Sequence, residues 1–502
     1  MKSPKAILWI LLTLAGVATI TSVIYFRNTR QPQTTESFGL WFSYCSDPVD
    51  SKWIGKINRI KWVAYSSPNP GTEPGFFQPS PETIRKDLLT LKKAGFNGLV
   101  TYSSFGVMGK DFPYIADELG FDGIIMGVWD PGNRSEFENA VKASRLSSVM
   151  GFSIGNEGLY RDSGDRYTIP ELCETIMSLR AHTGKPVTTS EETDDFEEHP
   201  YLYHVGDWVF ANAHPYWHAT KHAERAVRWE VKKYKLLSEQ SRRFVFFREV
   251  GLPTFGAFGL SETNHDLYYR KLAETDVRFV YFEGFDQPSK DHNAVEPHWG
   301  IFRFDQSPKL AAWNLMGVRP FTSSGPYDGW VMECAEKSNS GCSLDKTGPT
   351  LIVGDDAERR QYRAVLSFNT SGLPEDVLVN SVELKLKLVQ IVGRDPFEKH
   401  GKLLVEACSP SVGLMLVVQI SDFQTERNCR VVGAFDPARR DGWYTAELDP
   451  AVVRTDGVSQ FRLRFERDDD NHRSADYLEF YSGNAEDRLR PNLVVRYELV
   501  ED

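Results

Sequence analysis

The 502-residue sequence has only six cysteines, none of them in a CxxC pair or in the Cys/His spacing of a zinc site. That is too few for a disulfide framework to stand in for a hydrophobic core. Cys334 with Cys342, and Cys408 with Cys429, are spaced for local bridges if the body is exported; free buried thiols are the alternative reading. Runs of Lys and Arg are also missing outside the extreme N-terminus, and the formal net charge is −11. Nucleic-acid phosphates demand a basic face, so nucleic acid is excluded as a partner and a neutral or weakly charged ligand fits better. No glycine-rich phosphate loop follows the first predicted strand, which argues against a doubly wound nucleotide-binding sheet. Long apolar runs are absent, with one exception. Residues 7–26, "ILWILLTLAGVATITSVIYF", carry no charge, and as a helix they match the ~30 Å hydrocarbon core of a bilayer. The run ends in Tyr25, Phe26 and Arg27 rather than in small residues suited to cleavage, which predicts an uncleaved signal anchor. A single-pass protein of the cell membrane follows, with a cytoplasmic stub, the body outside, and a short linker to residue 36; cleavage would instead secrete the body.

What is present is core-forming material. Hydrophobic residues make up 41% of the chain and aromatics 13%, enough for two domains with buried cores. Between about residues 59 and 316, β-branched and aromatic runs alternate with helical patterns. The predicted strands are 59–65, 98–102, 123–129, 151–155, 186–190, 208–216, 244–250 and 278–285. Between them, Ile84, Leu88 and Leu91 share one helix face, with Gly95 just past its end. Thr168 and Glu171 form a capping box ahead of Leu172, Ile176 and Leu179, and Ala223, Val227, Val231, Tyr234 and Leu237 follow helical spacing. Successive βα units of this number predict a (βα)8 TIM barrel over residues 37–320. The stretch "GVRPFTSSGPYDG" (317–329) reads as a linker, assigned to 321–330. Beyond it, Val382, Leu384, Leu386 and Leu388 alternate with charged residues, as do Phe461, Leu463 and Phe465, which predicts an antiparallel β-sandwich over 331–502.

In a (βα)8 barrel the chemistry sits at the C-terminal ends of the strands. Glu157, in "GFSIGNEGLYR", follows strand four, and Glu249, in "FFREVGLPT", ends strand seven. Two acids on one rim are the requirement for glycoside cleavage: one protonates the departing oxygen, the other attacks the sugar carbon or activates water. Asn156 beside Glu157 is placed to hydrogen-bond a sugar hydroxyl. Asn212, His214 and Tyr216 in "NAHPYWH" end strand six and are candidates for sugar binding. The acidic run from Glu191 to Glu198 reads as a solvated loop, and Asp468 to Asn471 as turn chemistry. Asn133 and Asn369 head sequons.

Three ordered motifs, "GNE" at 155–157, "REVGLPT" at 248–254 and "YFEGFDQPSKDHNAVEPHWGIF" at 281–302, resemble the signatures of glycoside hydrolase family 17, the β-1,3-glucanases of clan A. The resemblance covers about residues 58–316. It implies a retaining mechanism with Glu157 as acid/base and Glu249 as nucleophile, with Asn156 as the amide partner of the sugar. It also implies that Glu283 and Lys290 stand at the rim and that Tyr65 and Tyr102 line the groove. Leu252, Gln287 and Ser289 depart from the family pattern, as does "VTY" where an Arg-containing motif is usual. The stretch from Asp355 to Leu388 is similar to disaggregatase-related repeat modules, β-sandwiches attached to polysaccharide-acting proteins. The implied activity is hydrolysis of β-glucan, with β-1,3-glucanosyl transfer or non-catalytic polysaccharide binding at the cell surface as alternatives. No cofactor and no metal are implied.

Overall fold

A computed structural model describes residues 45–68, 78–374, 376–424, 429–467 and 472–500. The apolar segment 7–26 and the Asp468 to Asn471 cluster lie outside these residues. Among the described residues, no helix is long and apolar enough to cross a membrane. The chain divides into two compact units, Met1–Ala312 and Trp313–Asp502.

The first unit is built on an eight-stranded parallel sheet of TIM-barrel type. Its strands are β1 (Trp62–Ala64), β2 (Gly98–Val100), β3 (Gly123–Val128), β4 (Val149–Ile154), β5 (Val187–Thr189), β6 (Asn212–Ala213), β7 (Phe247–Val250) and β8 (Phe279–Tyr281). Parallel strands covered on both faces need continuous apolar runs, and apart from Phe279, which is half-buried, every residue of these strands is buried. The pairing order runs β5-β4-β3-β2-β1-β8-β7-β6. Between β5 and β6 the ladder shrinks to a parallel bridge, Glu192 to Asn212, with the Asn212 amide donating to the Glu191 carbonyl at 2.9 Å. Predicted strand six is therefore much shorter than its apolar run. His214 and Pro215 end it, because proline has no N–H for the ladder and the chain turns into the 3-10 helix Pro215–His218.

The helices follow their sequence signals. Ser80 caps Pro81–Lys93, whose Ile84, Leu88 and Leu91 are buried. Thr168 and Glu171 complete their capping box on Ile169–Thr183, and Gly184 ends that helix at a left-handed φ of 64°. The acidic run does not form a solvated loop. Thr193–Glu198 is a helix, Glu191 is buried beneath it, and Asp194 and Glu197 both pair with Lys233.

The second unit is antiparallel throughout its named pairings. The stretch read as a linker contributes a strand, Val318–Thr322, paired with Asn492–Leu499. Val382, Leu384 and Leu386 enter a buried cluster with Phe461, Leu463 and Phe465, as their alternation requires. Two separate sheets do not form. The 16-residue strand Val377–Val392 pairs with Trp443–Leu448 along its first part and with Asp476–Tyr481 after a register shift at Leu388/Gln390. The intervening strands link those two partners, so the hydrogen-bonded sheet closes on itself.

All six cysteines are bridged: Cys45–Cys173, Cys334–Cys342 and Cys408–Cys429. The two local pairs are those suggested by spacing. The first spans 128 residues, and nothing in the local sequence marks it.

Candidate active site

The turn after β4 carries Asn156 and Glu157. Gly155 takes a left-handed φ of 69°, and a Cβ there would meet the Tyr167 ring at under 3 Å, so only glycine fits. Glu157 itself has a φ of 49°, and its N–H donates to the Ser190 carbonyl at 2.9 Å. Opposite it, Glu249 rises from buried β7 and is 5% exposed. Oxygens of Glu157 and Glu249 and a ring nitrogen of His214 all lie within 4.8 Å of one another.

Each acid has its own set of partners. Asn212 Nδ2 donates to Glu157 Oε1 at 2.6 Å and to Asn156 Oδ1 at 3.0 Å, while Ser190 Oγ donates to Asn212 Oδ1 at 3.0 Å and fixes the amide's orientation. Glu249 Oε2 is 3.1 Å from His214 Nε2, and Arg248 Nη1 donates to Glu249 Oε1 at 2.9 Å. The same guanidinium reaches Asn156 Oδ1 and the Thr101 carbonyl, and it lies 4.3 Å from the centre of the Tyr102 ring. Lys290 Nζ donates to Glu283 Oε1 at 3.0 Å next to this group.

These surroundings separate the two carboxyls. Burial raises the Glu157 carboxyl above its ordinary value, and the Glu249 charge adds to the rise; the Asn212 hydrogen bond offsets only part of it. Burial pushes Glu249 the same way, but the hydrogen bond to His214 and the charges of Arg248, His214 and Lys290 outweigh it and hold this carboxyl below the usual range. Burial opposes protonation of His214, yet Glu249 and Glu157 raise its pKa overall. Glu283 is pushed up to about 7 by burial, against the pull of Lys290. The two carboxyls are thus shifted in opposite directions, Glu157 toward keeping its proton and Glu249 toward giving it up. The three donor atoms of Glu157, His214 and Glu249 are the one set among the described residues with the composition of a metal site, and the charges of Arg248 and Lys290 already act on Glu249.

The predicted residues Asn156, Glu157, Asn212, His214, Glu249, Tyr102, Glu283 and Lys290 are thus gathered around one centre. Aromatic rings flank them: His214 contacts Phe282 and Trp299 at 5.1 and 5.0 Å, and Tyr216 contacts Trp217 at 4.8 Å. Trp217 is 48% exposed and offers a free face. Tyr65 does not line the groove. It is fully buried, its hydroxyl donates to Asp87 at 3.0 Å, and its ring stacks on Phe112, so it anchors the helix Pro81–Lys93 to β1. Arg248 was the unassigned member of the site. Its signal was the one positive charge in the apolar run "FVFFREV", which burial forces to find a partner.

Residues 63–300 match the family model of the BtgE/BtgC glycoside hydrolase domain. A glucan 1,3-beta-glucosidase of Arthroderma benhamiae is 25% identical over 264 residues, covering 46% of this chain and 83% of that protein. A probable beta-glucosidase btgE of Aspergillus fumigatus is 26% identical over 241 residues, covering 44% of this chain and 42% of that protein. Among solved structures, a glycoside hydrolase family 17 β-1,3-glucanosyltransferase from Rhizomucor miehei aligns with TM-score 0.42 at 23% identity, over 50% of this chain and 96% of that one. An endo-laminarinase from Formosa aligns with TM-score 0.46 at 18% identity, over 53% and 89%. Together with the sequence motifs, the family match supports a catalytic domain similar to those of glycoside hydrolase family 17 in the barrel of this chain.

Proposed function

We propose that the barrel hydrolyses β-glucan, at β-1,3 linkages, by double displacement. Glu249 attacks the anomeric carbon as Glu157 gives its proton to the leaving oxygen; Glu157 then takes a proton from water, which displaces Glu249 and returns the anomeric configuration. The observation that carries this reading is the approach of the two carboxylates to within 4.8 Å. Retaining pairs stand ~5–5.5 Å apart, whereas inverting pairs leave ~6.5–9.5 Å for a water. The opposed shifts of the two carboxyls fit the same division of labour. The named relatives act on glucan or glucosides, and they supply the substrate class.

Three disulfides suit an oxidising compartment, and with the apolar segment 7–26 they support an exported body on a membrane anchor. The antiparallel unit is read as a spacer or carbohydrate-binding module that keeps the barrel near polymer.

The test is incubation of the full chain in mild detergent with β-1,3, β-1,4, β-1,6 and mixed-linkage oligosaccharides. Early products are read by NMR for anomeric form and by mass for length. β-Anomers from the β-1,3 panel support the reading; α-anomers overturn the mechanism, and activity confined to another linkage overturns the substrate. Products longer than the substrate reveal transfer in place of hydrolysis.

A further inference from the structure

The loop that follows Glu157 contains a clamp that the sequence motifs do not contain. Arg161, four residues beyond the proposed acid and only 23% exposed at its side chain, donates from Nε to the Glu157 carbonyl at 3.0 Å. Its Nη1 donates to Glu192 at 3.0 Å, and its Nη2 donates to Glu191 at 3.1 Å and to Asp195 at 2.8 Å. Glu191 is fully buried, and it also accepts from the Gly158 and Leu159 amides at 3.3 Å and from the Tyr167 hydroxyl at 3.1 Å. Arg166 donates to the Asn156 carbonyl from the other side. The carbonyls of Asn156 and Glu157 therefore end on arginine side chains, and the amides of the next two residues end on Glu191. A non-glycine residue in the left-handed region costs on the order of 1–3 kcal/mol and persists only where its surroundings over-determine it. The Glu157 turn, with φ of 49°, is such a position.

We infer that Arg161, locked by Glu191, Glu192 and Asp195, is a positioning residue that sets the backbone of Glu157 and with it the aim of the acid at the leaving oxygen. The acidic run after β5 is then part of the catalytic apparatus, acting on the loop after β4 through Arg161. This rests on the proposed role of Glu157 as acid.

The role makes a distinction that ordinary destabilisation does not. A natural β-glucan oligosaccharide needs protonation of its leaving oxygen, while a dinitrophenyl β-glucoside, whose leaving group is a weak base, needs little. Misplacement by about 1 Å costs roughly 100-fold in a step that depends on the displaced group. In Arg161→Met, kcat on the oligosaccharide is expected to fall by about 100-fold with KM changed less than about threefold, while glycosylation by the aryl substrate falls less than about fivefold. Arg161→Lys keeps one charge but not the fork, and it shows the same unequal loss to a smaller degree; it carries the comparison if the Met variant fails to fold. Equal losses on the two substrates, or no loss on either, overturn the inference. Wild-type protein inactive on both substrates overturns the proposed hydrolase itself.

Discussion

His214 Nε2 stands 3.1 Å from Glu249 Oε2, and this contact helps hold the Glu249 carboxyl down where burial raises that of Glu157. Glu249 is buried and Glu157 half-buried, and desolvation pushes both carboxyls upward. A nucleophile must be charged and an acid must not be. His214, with Arg248 on the other oxygen of Glu249, stabilises that anion, while Glu157 takes its hydrogen bond from the neutral Asn212 amide.

Removing His214 therefore has a directed effect on pH dependence. Under the proposed mechanism the active form has Glu249 deprotonated and Glu157 protonated, so the acidic limb of kcat/KM follows Glu249 and the alkaline limb follows Glu157. His214→Ala raises the Glu249 pKa, and the acidic limb moves up by roughly one unit or more, given that a hydrogen bond to a charged group contributes about 1.5–3 kcal/mol. A pH–rate profile between pH 3 and 9 on β-1,3-glucan oligosaccharide, with both limbs fitted, measures this. An unmoved acidic limb would place the effect of His214 elsewhere.

Asn212 acts on the other limb. Its amide donates to Glu157 Oε1, which favours the charged form of the acid. In Asn212→Ala that donor is lost, the Glu157 pKa rises further, and the alkaline limb moves to higher pH. The maximal rate falls by about 10- to 100-fold because the carboxyl is no longer aimed. The same profile reads both outcomes.

Much of this centre was legible because its residues sit where apolar runs stop. Glu157 after "GFSIG" and Glu249 within "FVFFREV" are polar groups at the ends of buried strands, where the parallel fold puts its chemistry. Tyr65 was misplaced because a tyrosine at a strand end reads the same whether its ring faces the barrel mouth or the helix layer; Asp87, 22 residues on, decides the matter. Strand six looked continuous because an apolar run records burial, while its pairing is broken into a parallel bridge from Val209 to Val245 and the two-residue strand Asn212–Ala213. The Arg161 clamp was hidden because its partners lie about thirty positions away and meet only once the β5 loop has folded back. The linker at 317–329 had turn residues at its centre, yet its first half pairs with a strand near the chain's end, a contact no local window contains.

The Cys45–Cys173 bridge ties the segment before Val49 to the helix Ile169–Thr183, across a sequence separation of 128. Closing a loop of that size restricts the unfolded chain, and its loss is expected to cost about 3–5 kcal/mol. In a Cys45→Ser, Cys173→Ser double variant, the barrel's melting temperature falls by roughly 10 °C or more. Calorimetry of wild type with and without reductant, beside the double variant, checks the effect; the Cys334–Cys342 pair, with a separation of 8, contributes less when removed alone.

The two acids have unequal jobs, and the products of their variants can tell them apart. Glu249→Ala leaves no group to form the covalent bond to the anomeric carbon, so turnover of every substrate is lost, by at least about 1000-fold. Glu157→Ala still attacks a dinitrophenyl glycoside, because that leaving group departs without a proton, but the glycosyl-enzyme then waits for a water that nothing deprotonates. The intermediate accumulates, seen as a burst of dinitrophenolate followed by a slow phase and as a sugar mass added to Glu249 in a peptide digest. Azide needs no deprotonation, and it enters the face from which Glu249 departs. Two inversions at one carbon restore the starting configuration, so the released compound is a β-glycosyl azide. An α-azide would mean a single displacement, with Glu249 acting on water, and would remove the retaining mechanism. A Glu249→Ala protein that kept near-normal rates while Glu283→Ala lost them would move the nucleophile to β8, onto the carboxyl that Lys290 now holds at 3.0 Å.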